Sequence, residues 1–74
     1  GTAMLGYHLD EDGPVSMTIF DVKGRRVANV LAGETRSAGE NESSIDTTQF
    51  PPGVYFIKLQ TKTKMVSRKM VVVH

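Results

Sequence analysis

The stretch Phe50-Pro51-Pro52-Gly53-Val54-Tyr55-Phe56-Ile57-Lys58-Leu59-Gln60 decides the fold class of this chain. Its Pro52-Gly53 step predicts a sharp turn, because proline fixes φ and glycine tolerates positive φ. The residues that follow are β-branched and aromatic, as is typical of a strand. Successive side chains of a strand point to opposite faces, so Tyr55, Ile57 and Leu59 share one apolar face. The stretch therefore predicts a turn followed by a half-buried β-strand.

A second stretch shows the same alternation and supplies a hairpin. Val15, Met17 and Ile19 alternate with Ser16 and Thr18, which indicates an antiparallel strand with one buried face. The next four residues, 21–24, read Asp-Val-Lys-Gly, which favours a type I turn with glycine at its last position. Residues 25–31 then form the predicted partner strand.

The rest of the chain is predicted to form short strands, because short apolar segments are separated by residues typical of turns. The other predicted strands are residues 6–9, 40–46 and 65–73, and the predicted loops are residues 10–14, 32–39 and 61–64. This spacing predicts an all-β fold, a compact immunoglobulin-like antiparallel β-sandwich of six to seven short strands. The predicted core consists of Leu9, Val15, Met17, Ile19, Val27, Val30, Ile45, Tyr55, Ile57, Leu59, Met70 and Val72.

The length of 74 residues limits the chain to one small domain with a modest core. It has no cysteine, so disulfides do not contribute. Residues 1–4, Gly-Thr-Ala-Met, lack the basic start and apolar run of a signal peptide. We expect residues 1–5 to be a tag or linker remnant, residues 6–74 to be a single domain, and the whole to be cut from a longer protein.

Charge is divided unevenly along the sequence. Residues 1–46 carry all eight acidic and four of the nine basic side chains, a balance of −4, and residues 47–74 carry five basic side chains and no acid, +5. Such asymmetry can indicate contact with nucleic acid or a membrane. We favour the alternative that basic and acidic strands lie beside each other in one sheet, where opposite charges attract.

No catalytic constellation is visible. There is no cysteine and no serine in a nucleophile elbow, and His8 and His74 stand at opposite ends of the chain. We interpret His8 as a surface strand residue and expect no enzymatic activity.

Two binding functions are also disfavoured. The acidic run at residues 10–13 fails the spacing of a calcium loop, so we expect a solvated turn, no metal and no cofactor. Phe56 is the one plausible exposed aromatic beside the basic residues, which is too few for a stacking platform, so we expect no nucleic-acid partner.

Taken together, the motifs resemble a family. An alternating strand ends in aspartate and a turn glycine at residues 19–24, a Pro-Gly-x-Tyr step follows at residues 52–55, and lysine precedes apolar residues at 69–73. In this order, from about Tyr7 to His74, they resemble a type A C-terminal sorting domain of the type IX (Por) secretion system of Bacteroidetes.

The resemblance implies a non-catalytic address label attached to an N-terminal cargo domain. It implies passage through the periplasm, recognition by the outer-membrane translocon, export to the cell surface or medium, and removal by a surface sortase. The residues implied in recognition are Lys69, Met70, Val71, Val72 and Val73, with Gly53 and Tyr55 organising the surface beside them. A last strand can lie at a sheet edge, where free backbone groups can pair with a partner or with a second copy as a dimer.

One alternative comes from another class: a structural, interaction or spacer module of a surface protein, as in flagellar hook-capping proteins or accessory domains of glycosidases. Position separates the two, because a sorting domain must be the last domain of its parent protein.

Overall fold

In the computed structural model, residues 1–73 are described, and they form six antiparallel strands and one short 3₁₀ helix. His74, the last residue of the predicted domain, lies outside the described residues. The elements are β1 (Thr2–Leu9), β2 (Gly13–Asp21), β3 (Arg26–Arg36), β4 (Gly39–Asp46), the 3₁₀ helix Thr47–Gln49, β5 (Gly53–Gln60) and β6 (Met65–Val72).

The strands build two sheets. A four-stranded sheet has the order β3-β2-β5-β6, and a two-stranded sheet pairs β1 with β4. Buried side chains from both sheets form one apolar cluster, so the sheets pack face to face. The predicted all-β, two-sheet antiparallel sandwich is confirmed.

The core follows the alternation of β2 and β5. Val15, Met17 and Ile19 are 0% exposed, and their partners Ile57 and Leu59 on β5 are buried too. Ten of the predicted core residues are buried, namely Leu9, Val15, Met17, Ile19, Ile45, Tyr55, Ile57, Leu59, Met70 and Val72.

The core prediction was wrong for Val27 on β3 and missed Leu31, whereas the predicted Val30 packs against the core with part of its surface exposed. Val27 is 42% exposed and Val30 is only partly buried, whereas Leu31 is buried opposite Met17. Three register shifts interrupt the β2–β3 ladder, and Gly33, Val30 and Val27 are left without a partner on β2. Each such bulge inserts one residue, which breaks the period of two that sequence analysis assumed.

The loop predicted at residues 32–39 is also wrong. β3 continues to Arg36, and only Ser37 and Ala38 separate it from β4. Gly33 has φ +75° within β3, so the glycine there marks a bulge rather than the end of the strand. At the other end of the chain, β1 begins at Thr2 rather than at the predicted Gly6, and residues 2–5 pair with residues 43–46.

The central position of Met17 yields a stability prediction. Met17→Ala should lower the free energy of unfolding by about 2–5 kcal/mol, because it leaves a cavity between the sheets. Urea denaturation followed by circular dichroism measures this. Met65→Ala is the matched control, since Met65 is 60% exposed. Equal denaturation midpoints for the two variants would contradict the described core.

Candidate docking surface

The register of β5 and β6 brings together the residues that the sequence resemblance implies in recognition. Gly53 lies opposite Val72, and Tyr55 lies opposite Met70. Met70, Val72 and Tyr55 are buried, so these three side chains belong to the core. The predicted site therefore divides into a buried half and an exposed half.

The exposed half consists of Lys69, Val71 and Val73. Val71 is 58% and Val73 81% exposed, and neither side chain packs into the core. These residues belong to or directly follow β6, which is the last strand of the four-stranded sheet and has a neighbour on one side only. The other side of β6 therefore presents backbone N–H and C=O groups without a strand partner within residues 1–73.

The two edges of the four-stranded sheet differ. β3 meets β2 through three register shifts, and bulges of this kind twist an edge away from further pairing. β6 meets β5 in an uninterrupted register of eight pairs, from Gly53↔Val72 to Gln60↔Met65. β6 is thus the regular edge of this sheet.

Arg68 divides β6 into two parts. It lies opposite the buried Ile57, on the side of the sheet that faces the core, yet its own side chain is exposed. A charge on the inner face hinders pairing at an edge. It borders a cleft of about 180 Å³ between the sheets, which Leu5 and Val66 also line. The part of β6 beyond Arg68, residues 69–72, carries no such inward charge and falls within the predicted recognition segment 69–73.

The turn before β5 holds the end of this edge in place. The Tyr55 hydroxyl donates a hydrogen bond to the Pro51 carbonyl at 2.6 Å, and the Tyr55 ring centroid lies 5.3 Å from that of Phe50. Gly53 has φ +154°, and a Cβ built there would meet nothing within 4 Å, so the backbone conformation and not crowding favours glycine. Phe50 is buried, although it is not among the predicted core residues.

Asp21 fixes the neighbouring hairpin turn. Its carboxylate accepts hydrogen bonds from the backbone N–H groups of Lys23 and Arg25, at 2.9 and 3.0 Å, and from Arg25 Nε at 2.9 Å. The Gly24 N–H donates to the Asp21 carbonyl at 3.0 Å, which confirms the predicted turn. The hydrogen bond from the Arg25 backbone is the main cause that holds the pKa of Asp21 below its ordinary value, and the Arg25 side chain adds to it.

The most acidic strand, β4, lies in a different sheet from the basic strands β5 and β6, so our favoured interpretation of the asymmetry was wrong for this strand. Glu40, Glu42 and Asp46 lie on the exposed face of β4, and β4 pairs only with β1. The basic strands β5 and β6 lie in the other sheet. β4 is therefore not a neighbour of β5 or β6, and the acids that share their sheet are Asp21 on β2 and Glu34 on β3.

Ion pairs between the sheets occur only at the loops among the described residues. Lys64 Nζ lies 3.1 Å from Asp10 Oδ2, and Lys62 Nζ lies 3.7 Å from Glu11 Oε1. The Ala38 N–H donates to Asp12 Oδ1 at 2.6 Å. Asp10, Glu11 and Asp12 thus lie in an exposed turn and contact cations and a backbone N–H of the chain itself.

The remaining candidate residues do not assemble a chemical site. His8 is exposed, and its Nδ1 lies 2.9 Å from Glu40 Oε1. No cluster of three or more histidine, cysteine, aspartate or glutamate residues in the described part of the chain is placed to hold a metal ion. Residues 1–73 also contain no helix of the length and hydrophobicity needed to cross a membrane.

The turn at Asp21 yields a prediction about pH. Because its pKa is lowered in the folded state, Asp21 contributes stability above the unfolded value of 3.8, and this contribution is lost as the pH falls through the folded value. Asp21→Asn should therefore flatten the decrease of unfolding free energy below about pH 4. Urea denaturation between pH 2 and pH 6 measures this dependence. Glu42→Gln, at an exposed carboxylate without an ion pair in residues 1–73, is the control. An unchanged pH dependence in Asp21→Asn would contradict the role of the turn.

Comparison with known proteins places these features in context. The family model described as the secretion system C-terminal sorting domain matches residues 4–73, nearly the whole chain. Searches of curated proteins and of solved structures found no match.

Proposed function

The chain belongs to the family of C-terminal sorting domains of type IX secretion, and from this membership we propose that it directs an N-terminal cargo protein across the outer membrane. Membership implies contact with the secretion machinery and export to the cell surface or the medium. The match over residues 4–73 is the observation that carries this proposal. The proposed role needs no catalytic group within the domain.

The finer steps follow the sequence resemblance. The domain passes through the periplasm, is recognised by the outer-membrane translocon, and is removed from its cargo by a surface sortase. No cofactor takes part in the domain's own role.

We place the recognition element at Lys69, Met70, Val71, Val72 and Val73. Three observations support this placement. β6 is an edge strand, its register with β5 is regular, and Arg68 is the last charged residue of β6 on the inner face of the sheet. An extended segment of the translocon would add to this edge through main-chain hydrogen bonds, and Val71 and Val73 would contact it. Gly53 and Tyr55 act indirectly by shaping the turn opposite Met70 and Val72.

The same edge would allow two copies of the domain to pair, because strand addition does not distinguish a partner strand from a copy of β6. A copy that occupied the edge would compete with the translocon. Dimerisation through β6 should therefore be seen only in the free domain.

Fusion to a reporter tests the signal. The chain, joined to a periplasmically exported reporter in a type IX-competent bacterium, should bring the reporter to the cell surface or the medium. Deletion of residues 69–74 should abolish this export, measured as the extracellular fraction of reporter. Undiminished export after the deletion would overturn the placement of the signal. Failure of the intact chain to export would favour the spacer module instead.

A pair of valine substitutions separates recognition from folding, since the deletion also removes the buried Met70 and Val72. Val71→Asp places a charge at the exposed edge, and Val22→Asp makes the same change in the β2–β3 turn, where Val22 is 67% exposed. Export should fall about tenfold or more in Val71→Asp, because a charge opposes strand addition at this position. Export by Val22→Asp should equal that of the unmodified chain. Equal export by both variants would exclude Val71 from the contact.

A further inference from the structure

The outer face of the four-stranded sheet carries one continuous row of side chains across all four strands. Arg26 on β3 lies opposite Phe20 on β2, Phe20 lies opposite Phe56 on β5, and Phe56 lies opposite Lys69 on β6. Two cations thus flank two phenylalanines. We call this row, together with Lys58 in the adjacent row, the basic face.

The cations of the basic face have no ion-pair partner among the described residues. Arg25, Arg36, Lys62 and Lys64 each lie within 4.0 Å of a carboxylate, whereas Arg26, Lys58 and Lys69 do not. Lys23 and Arg68, outside this face, also lack an ion pair within residues 1–73, so the clustering of three such cations on one face is the distinguishing feature. No acidic residue stands in the rows of the basic face. The positive charge on this face is therefore not neutralised within residues 1–73, and an acidic partner could pair with it.

The face also has apolar surface and a shallow depression. Phe56 is 40% exposed although it sits on a central strand, because the two-stranded sheet packs on the opposite side. A depression of about 430 Å³ lies beside Phe20 and contains Arg26, Lys58 and the hydroxyl-bearing side chains of Ser16 and Thr18. The hydroxyl groups and the cations can donate hydrogen bonds to a carboxylate of a ligand. The aromatic side chain beside them can contact an apolar residue close to that carboxylate.

We propose that the basic face binds an extended acidic segment of a protein partner, with acidic residues at the first and fifth positions and an apolar residue at the third. Four adjacent strands span about 14 Å from Arg26 to Lys69, since neighbouring strands lie roughly 4.8 Å apart. Alternate residues of an extended segment share one face, and its first and fifth residues lie about 13 Å apart. Such a segment, lying across the strands, places each carboxylate at one cation and its apolar residue on the phenylalanines.

This inference rests on the proposed function and names the chemistry of the partner. Lys69 belongs both to the basic face and to the recognition strand, so one surface of the secretion machinery could contact both. A nucleic acid is a poorer fit, because three cations give few phosphate contacts and non-specific nucleic-acid binding depends on many.

Peptide binding tests the face directly. The probe is the peptide Ser-Glu-Thr-Leu-Thr-Glu-Ser, titrated into the isotope-labelled chain while amide chemical shifts are recorded. Shifts should concentrate at Phe20, Arg26 and Phe56, weaken with added salt, and vanish with the glutamine analogue Ser-Gln-Thr-Leu-Thr-Gln-Ser. Equal binding of the two peptides, shifts confined to β1 and β4, or tighter binding of a short oligothymidylate would each overturn the proposal.

A charge-reversed pair supplies the matched control. Arg26→Glu reverses a charge on the basic face, and Lys23→Glu reverses one in the nearby turn, outside the depression. Arg26→Glu should weaken peptide binding about tenfold or more, because attraction becomes repulsion. Lys23→Glu should bind as the unmodified chain does. Equal affinities would overturn the assignment.

The same two variants, fused to the exported reporter, separate this inference from the proposed function. Arg26 stands three strands away from β6, outside the recognition strand. If the intact chain exports the reporter, Arg26→Glu should reduce export and Lys23→Glu should not. Full export by Arg26→Glu would overturn the proposed binding of an acidic segment by the basic face, but it would agree with the proposed sorting function. If the intact chain does not export, the sorting signal fails, and peptide binding alone decides on the face.

Discussion

The alternation of apolar and polar side chains on β2 and β5 is the constraint on which the rest of the structure depends. These strands form the centre of the four-stranded sheet, and their inner face supplies Met17, Ile19 and Ile57 to the core. A two-stranded sheet covers that inner face and leaves the outer face uncovered. Within residues 1–73 no further strand covers the β6 edge or the outer face. Both surfaces proposed for binding follow from this limited coverage.

The central strands could be predicted from sequence because a period of two determines which side chains are buried. The side chains of β3 could not be assigned in this way, since its bulges insert Gly33, Val30 and Val27, and so Leu31 is buried in the core while Val27 is exposed. Phe50 was missed because its burial depends on the ring of Tyr55 across the turn. Local pattern thus predicts strands that pair regularly, and it fails where pairing shifts register.

The predicted recognition residues could be placed on a last strand, but two properties of the site depend on strand order. The order β3-β2-β5-β6 makes β6 an edge, and it aligns Arg26, Phe20, Phe56 and Lys69 into one row from four separate parts of the chain. Strand order also separates the acidic β4 from the basic strands, contrary to our interpretation of the sequence. The charge asymmetry along the sequence therefore becomes an asymmetry between two faces of the folded domain.

Hydrogen–deuterium exchange of the domain, free and bound to the purified outer-membrane translocon, tests the central claim that β6 is the docking edge. Backbone N–H groups on the outer side of an edge strand lack a partner and exchange readily until another strand pairs with them. Binding should bring new protection within residues 69–73 and none within residues 39–46 of β4. If protection were confined to β4, or if the complex formed without added protection in residues 69–73, then β6 would not be the docking edge.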